Sequence, residues 1–325
     1  MPPPADLAVA RPLRASTAAA RFARYAWGVL AANLAVILLG AYVRATGSGA
    51  GCGAHWPLCN GEMLPREPAL QTLIEFSHRL SSGLALLLVA GLVVGAWRAY
   101  PRGHLVRRGA AFTAAFMISE AAIGAGLVLL RYVADDTRVA RGYWVAGHLI
   151  NTFLLVAALA LTAWWASGAP GPRWRDRRGL AAALLGAAAG VLLLGVSGAV
   201  TALGDTLFPV ATLAEGKALT FSESAHLFVR LRVYHPLLAL AVGTGVTLAA
   251  ALAVRSRPLP AVRRLAVAVV VLWIGQLLLG AGNVYLLAPV SIQLLHLLVS
   301  DLIWIALVLL TAAALADPRG EGQAA

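Results

Sequence analysis

Charged residues are scarce in this chain. Only 12% of its 325 residues are Asp, Glu, Lys or Arg, whereas 60% are hydrophobic, and the mean hydropathy is +0.79. A water-soluble core cannot hide that much apolar surface, whereas a lipid bilayer accommodates it. The composition therefore excludes an ordinary soluble protein and predicts an integral membrane protein.

Acidic residues are scarcer still, with 14 against 26 Lys and Arg, a net charge of +12. The basic residues stand in short clusters between apolar runs, with little aromatic interleaving, which argues against a nucleic-acid partner. They fill every second connection, as expected for cytoplasmic loops, and would attract anionic membrane lipid weakly. The clusters are Arg11, Arg14, Arg21 and Arg24; Arg98, Arg102, Arg107 and Arg108; Arg173, Arg175, Arg177 and Arg178; and Arg255, Arg257, Arg263 and Arg264.

Eight apolar runs are long enough to span a bilayer. We predict an all-α integral membrane fold with eight transmembrane helices and both termini in the cytoplasm, with an uncleaved first helix favoured over a short presequence. The first four predicted spans are Tyr25–Arg44, Thr72–Trp97, Gly109–Leu130 and Tyr143–Trp165. The second four are Gly179–Leu203, Val233–Val254, Leu265–Leu286 and Ile292–Leu315.

The two sets of four spans resemble each other. Gly47 and His78 are 31 residues apart, and so are Gly204 and His235. Each set starts and ends on the same side, so we predict a parallel repeat of two pseudo-symmetric four-helix bundles. The predicted segments are a cytoplasmic tail at 1–24, an N-terminal half at 25–166, a cytoplasmic linker at 167–178, a C-terminal half at 179–315 and a second tail at 316–325.

Four of the seven histidines lie near the start of an even-numbered span, at similar depth towards the outer face. Ionisable groups at such positions tend to face the bundle interior or a ligand. Zinc and copper sites usually use closely spaced ligands, whereas one His from each of two helices suits the axial positions of a porphyrin iron. The repeat favours the pairs His78/His148 and His235/His296, and pairing across the halves stays open.

The two halves differ in the charges beside these histidines. Glu75 lies three residues before His78, whereas Arg232 occupies the same place before His235. Glu75 could accept a proton or stabilise a cationic intermediate, or simply pair with Arg79. Arg232 could bind a heme propionate.

Polar residues also recur inside the third and seventh spans. Glu120 lies four residues before Gly124, and Gln276 lies four residues before Gly280. For both positions we favour a structural role, in which the side chain points inward and makes hydrogen bonds, over a role in proton transfer.

Both cysteines, Cys52 and Cys59, fall in the first outer loop. Disulfides persist in an oxidising compartment, so this pair could close a small loop. Two interpretations of this pair remain: a disulfide that only stabilises the loop, and one that is redox-active or shields a substrate.

These motifs resemble the heme A synthase family over nearly the whole chain, from Trp27 to about Leu315. The most specific segments are Val-Arg-Ala-Thr-Gly-Ser-Gly-Ala-Gly-Cys (43–52), Trp-Pro-Leu-Cys-Asn-Gly (56–61) and Glu-Phe-Ser-His-Arg (75–79). The resemblance is to the bacterial branch that keeps a cysteine pair in this loop. Some members carry a second cysteine pair in the connection between the fifth and sixth spans. Residues 204–225 of this chain contain no cysteine.

The resemblance implies an oxidoreductase of cytochrome oxidase biogenesis, which converts the C8 methyl of heme O to a formyl group by successive hydroxylations. It implies that Glu75 is catalytic and that His78 and His148 are the axial ligands of heme O. It further implies that His235 and His296 hold a resident heme b and that Cys52 and Cys59 form a disulfide. Apart from the resemblance, Arg79 and Arg232 are candidates to bind a propionate or support the hemes.

The same resemblance suggests a heme O synthase and an electron-transfer protein as partners, and a bacterial inner membrane, or alternatively the mitochondrial one. A bis-histidine cytochrome b that only carries electrons, and a non-catalytic heme transfer or assembly factor, remain the alternatives.

Overall fold

The computed structural model describes residues 17–173 and 177–317. These residues form ten α-helices, eight stretches of which are long and apolar enough to cross a membrane. The chain is therefore an all-helical, multi-pass membrane protein, as the sequence predicts. The helices are α1 Thr17–Ala45, α2 Leu70–Ala99, α3 Leu105–Leu129, α4 Val139–Ala166, α5 Arg178–Leu207, α6 Leu213–Thr220, α7 Leu227–Leu231, α8 Tyr234–Ser256, α9 Pro260–Tyr285 and α10 Val290–Ala314.

Helix α1 begins earlier than the hydropathy pattern indicates. It starts at Thr17 rather than Tyr25, because Ala and Arg favour a helix even where charge lowers the hydropathy. The last eight residues of the predicted tail at 1–24 are thus helical. Residues 1–16, 174–176 and 318–325, which include other parts of the predicted tails and linker, lie outside the described residues.

The helices pack as two sets of four. In the first set, α1 and α3 each contact both α2 and α4. In the second set, α5 and α9 each contact both α8 and α10. Each set therefore closes on itself as a four-helix bundle. The pseudo-symmetry of the two sets and the cytoplasmic position of the termini stay predictions.

Helices α4 and α10 lie at the centre, where the two sets meet. The ring of Phe153 on α4 stacks on Trp304 of α10, with 5.4 Å between the ring centres. The indole Nε1 of Trp304 also donates a 2.7 Å hydrogen bond to the Phe153 carbonyl. A buried indole N–H usually finds a hydrogen-bond partner, and here that bond joins the two sets.

A short segment after α4 pairs with the end of α10. The Arg173 amide donates to the Leu315 carbonyl at 2.7 Å, and the Asp317 amide donates to the Gly171 carbonyl at 2.9 Å. These bonds connect the end of the first set to the end of the second. They place the beginning of the predicted linker beside the chain's last described residues.

The connection between α5 and α8 contains two short helices, which the sequence treats as loop. Thr212 caps α6 by accepting from the Glu215 amide at 3.1 Å, and the Glu215 carboxylate accepts from the Ala211 amide at 2.8 Å. This reciprocal arrangement is of the capping-box kind. Helix α7 then leads into α8, and the apolar stretch Leu227–Ser256 forms one span.

Candidate functional site

Each of the four predicted ligand histidines packs against a glycine of the preceding spanning helix. A Cβ at Gly40 would lie 2.8 Å from His78 Cε1, and one at Gly198 would lie 3.0 Å from His235 Cε1. These distances leave no room for a side chain, so the glycines let the imidazoles seat against the neighbouring backbone. The other two pairs are Gly124 with His148 at 4.0 Å and Gly280 with His296 at 3.3 Å.

His235 and His296 face each other in the second set. Their ring centres are 6.5 Å apart, and the ring planes make an angle of 68°. A metal–imidazole bond is about 2 Å long, and a ring centre lies roughly 1 Å further, so two imidazoles on opposite sides of one ion are about 6 Å apart. The spacing of this pair fits axial ligation of a heme iron.

In the first set, His78 and His148 lie within electrostatic range of each other, and both are half-buried. The Nδ1 atoms of all four histidines are buried without a hydrogen bond to the described residues. The facing of His235 and His296 is thus observed, whereas the pairing of His78 with His148 and iron ligation by all four stay predictions.

Glu75 is a buried carboxylate, 3% exposed, and both of its oxygens are occupied. Oε1 accepts from Arg79 Nε at 3.1 Å and from Nη2 at 2.5 Å, while Oε2 accepts from the Cys52 amide at 2.8 Å. The pairing with Arg79 is one of the two outcomes that the sequence leaves open. In this arrangement Glu75 anchors the first outer loop, and a catalytic role for it stays a prediction.

The first outer loop is closed by a disulfide between Cys52 and Cys59, which the resemblance implied. Arg79 Nη1 donates to the carbonyls of His55 and Leu58, both at 2.6 Å. Arg79 also pairs with Glu75, which accepts from the Cys52 amide. One turn of α2 therefore makes hydrogen bonds to the loop before and after residues 56–57. The loop therefore lies over the end of α2 next to His78.

Arg232 is paired with a residue that sequence reasoning missed. Its Nη1 lies 2.9 Å from Asp205 Oδ1, and its Nε donates to Thr220 Oγ1 at 2.9 Å. Its Nη2 is buried with no hydrogen-bond partner among residues 17–173 and 177–317, which leaves one donor for an anion. Propionate binding by Arg232 stays a prediction.

Arg44 is a second residue that the sequence analysis did not single out as a site. Its Nη1 donates to the Ala202 carbonyl at 2.8 Å and to Thr206 Oγ1 at 2.7 Å, both on α5. Its Nη2 donates to Gln293 Oε1 on α10 at 3.0 Å. The signal available in the sequence was a lone arginine at the end of the first span, where a charge tends to be functional or paired.

Glu120 of α3 lies in a polar network with α4. Asn151 Nδ2 donates to Glu120 Oε2 at 2.6 Å, and Thr152 Oγ1 lies within hydrogen-bonding distance of Oε1. His148 Nδ1 is 3.4 Å from Oε1, without the alignment of a hydrogen bond. The inward hydrogen bonding expected of Glu120 is present, and the carboxylate lies beside the ring of a predicted ligand.

The fold and these contacts define a class: a multi-pass helical membrane protein with two histidines in each four-helix set, of which the pair in the second set face each other. Residues 23–308 match the family described as cytochrome oxidase assembly protein. The chain belongs to this family.

Individual relatives carry two different names. The chain is 52% identical over 295 residues to a protoheme IX farnesyltransferase of Thermus thermophilus, and the match covers 91% of this chain and 48% of that relative. It is 51% identical over the same length to the counterpart in a second strain of that species. It is also 41% identical over 110 residues to the heme A synthase of Bacillus mycoides, a match that covers 34% of this chain and 35% of that relative. The chain thus spans about half the length of the Thermus relatives.

Proposed function

We propose that this chain is a heme A synthase, an oxidoreductase that acts on heme O during cytochrome oxidase assembly. It would oxidise the C8 methyl of heme O by successive hydroxylations, with loss of water giving the formyl group. The observation that carries the proposal is the unequal surroundings of the two predicted histidine pairs in a chain of this family. A pure electron carrier has no evident need for that inequality.

In this proposal the first set binds the substrate. His78 and His148 are the axial ligands of heme O, and the disulfide loop held by Glu75 and Arg79 shields the site from the outer face. Glu75 is the nearest buried carboxylate to His78 in sequence, three residues away on the same helical face. Its assignment as the catalytic carboxylate rests on the family resemblance.

The second set would hold the resident cofactor. His235 and His296 would hold a heme b, which would supply one-electron chemistry. Arg232 would bind a propionate through its free Nη2. An electron-transfer partner completes the cycle, and the membrane is the bacterial inner membrane, with the mitochondrial inner membrane as the alternative.

Farnesyl transfer to heme is the second candidate, because the Thermus relatives carry that name. Those relatives contain about as much chain again as the part matched here, since the match covers 48% of their length. We assign the farnesyl transfer to the part that this chain does not match. The presence of both portions in one relative supports a heme O synthase as the partner that delivers heme O.

The test is expression of this chain, with and without a heme O synthase, in a bacterium that makes neither heme O nor heme A. Hemes are then extracted from the membranes and separated by chromatography. We expect heme A only when both proteins are present. Heme O alone in the co-expressing cells would contradict the synthase assignment and favour a carrier or transfer factor. Heme O in cells that express this chain alone would instead assign the farnesyl transfer to it.

A further inference from the structure

The network around Glu120 reaches the predicted ligand His148 from the protein side. Thr152, one helical turn after His148, contacts both Glu120 Oε1 and the His148 carbonyl, at 2.8 Å for the latter. Its single hydroxyl proton serves one of the two at a time. The carboxylate is thus adjacent to both the backbone and the ring of His148.

Neighbouring side chains keep the Glu120 carboxylate in place. The Asn151 amide group, which donates to Oε2 at 2.6 Å, also donates to the Phe116 carbonyl at 2.8 Å. Ser119 in turn donates to Asn151 Oδ1 at 2.6 Å. Every donor and acceptor of the Asn151 side chain is therefore used between α3 and α4. A fully connected network of this kind holds its members in one geometry.

The corresponding place in the second set is built differently. Gln276 takes the position of Glu120, while Val299 and Ser300 take the positions three and four residues after the histidine. Neither Gln276 Oε1 nor His296 Nδ1 has a hydrogen-bond partner within the described part of the chain. His148 thus has next to its Nδ1 a carboxylate, that of Glu120, which other side chains hold in place by hydrogen bonds. The equivalent residue in the second set, Gln276, has an Oε1 without such a bond.

We propose that Glu120 is a positioning residue for His148 and sets the electronic character of the substrate site. When Nε2 of His148 binds the heme O iron, Nδ1–H would close the 3.4 Å gap to Glu120 Oε1 and donate to it. A ligand histidine usually donates its second N–H in this way, which fixes the ring and raises its basicity. This inference rests on the proposed function, because it takes His148 to be a substrate-heme ligand.

The expected consequence is a difference in reduction potential between the sites. A more basic axial ligand stabilises ferric iron, and hydrogen bonding to the ligand is one of the ways in which a protein tunes heme potential. Glu120→Gln, which installs the side chain of the second set, should move the potential of the bound heme O to a more positive value. It should also weaken heme O retention, by roughly 10- to 100-fold.

The experiment uses the full-length protein with its resident heme, loaded with heme O under anaerobic conditions and titrated spectroscopically. Glu120→Gln should shift only the reduction potential of heme O. An unchanged potential of the resident heme then shows that the fold is intact. The reciprocal variant Gln276→Glu should move the resident heme to a more negative potential and leave the potential of heme O unchanged. Both shifts together are the result expected.

Two results would overturn the inference, and they differ in what else they overturn. If Glu120→Gln keeps the wild-type potential and heme O retention while His148→Ala loses the heme, the inference is wrong and the ligand assignment stands. If His148→Ala keeps the wild-type heme O spectrum, His148 is not a ligand. In that case the inference and the substrate site proposed above are wrong together.

Discussion

Glu75 and Arg79 carry more contacts than a pair of surface charges would. The carboxylate accepts from the Cys52 amide, and the guanidinium donates to the carbonyls of His55 and Leu58. Removing the carboxylate would leave the Cys52 amide and part of the Arg79 guanidinium without an acceptor, which typically costs about 1–3 kcal/mol per buried group. At the residue scale, Glu75 therefore combines an observed anchoring role with a proposed catalytic one.

Glu75→Ala separates these two roles. We expect the variant to bind heme O and to make no heme A, and we expect its Cys52–Cys59 disulfide to become more accessible to a mild reductant because the loop loses its anchor. Heme A per bound heme O, together with the rate of thiol labelling after reduction, measures both effects.

Glu62→Ala is the matched control for that experiment, because Glu62 is an exposed carboxylate of the same loop. It should leave both readouts at wild-type values. Normal heme A output from Glu75→Ala, with faster thiol labelling, would reduce Glu75 to a loop anchor.

At the scale of the helices, pairs of neighbours place the imidazoles. Helices α1 and α2 form one such pair, since the backbone at Gly40 lies directly against the ring of His78. A methyl group there would force the ring or the helix to move, and such overpacking typically costs about 1–3 kcal/mol. The glycine therefore belongs to the site even though it contributes no ligand atom.

Gly40→Ala should consequently weaken heme O binding and leave the resident heme unchanged. Alanine favours a helix over glycine by about 1 kcal/mol, so a loss of binding cannot come from a weaker α1. Gly28→Ala on the same helix is the control, because nothing lies within 4 Å of a Cβ at Gly28. Titration of the purified variants with heme O compares their affinities. Equal affinities would show that heme O binding does not depend on close packing of the His78 ring against Gly40.

The helices themselves could be predicted from the sequence, and the networks between them could not. Apolar runs of spanning length, separated by Pro, Gly and charge, gave eight spans in their observed order. The start of α1 was misplaced because Arg21 and Arg24 lower the hydropathy without opposing a helix. Contacts such as Arg44 with Gln293, which are 249 residues apart, depend on how the two sets pack, and no local spacing encodes that.

Within the site, the repeat allowed the four histidines to be selected together. Their positions near the starts of alternate spans follow from local sequence, and the facing of His235 and His296 agrees with the predicted pairing in the second set. The partners of those histidines could not be predicted, because Asn151 and Thr152 are ordinary polar residues of an apolar helix. Only the packing of α3 against α4 brings their side chains to Glu120.

At the scale of the whole molecule, two four-helix sets of similar construction are joined through α4 and α10 and have unequal surroundings at their histidines. We propose that they bind different hemes: heme O in the first set and heme b in the second. If each set binds its heme on its own ligands, loss of one site should leave the other filled. The Phe153–Trp304 contact between the sets involves none of the four histidines and should survive either loss.

The most direct test of this division is the heme content of two double variants, each purified from cells that also make heme O. His235→Ala/His296→Ala should lose heme b and its low-spin spectrum while keeping bound heme O, whereas His78→Ala/His148→Ala should keep heme b and lose heme O. Chromatography of the extracted hemes gives both quantities in one measurement. Retention of the heme b spectrum by the first double variant, or of heme O by the second, would contradict the assignment of a substrate site and a resident site to the two halves.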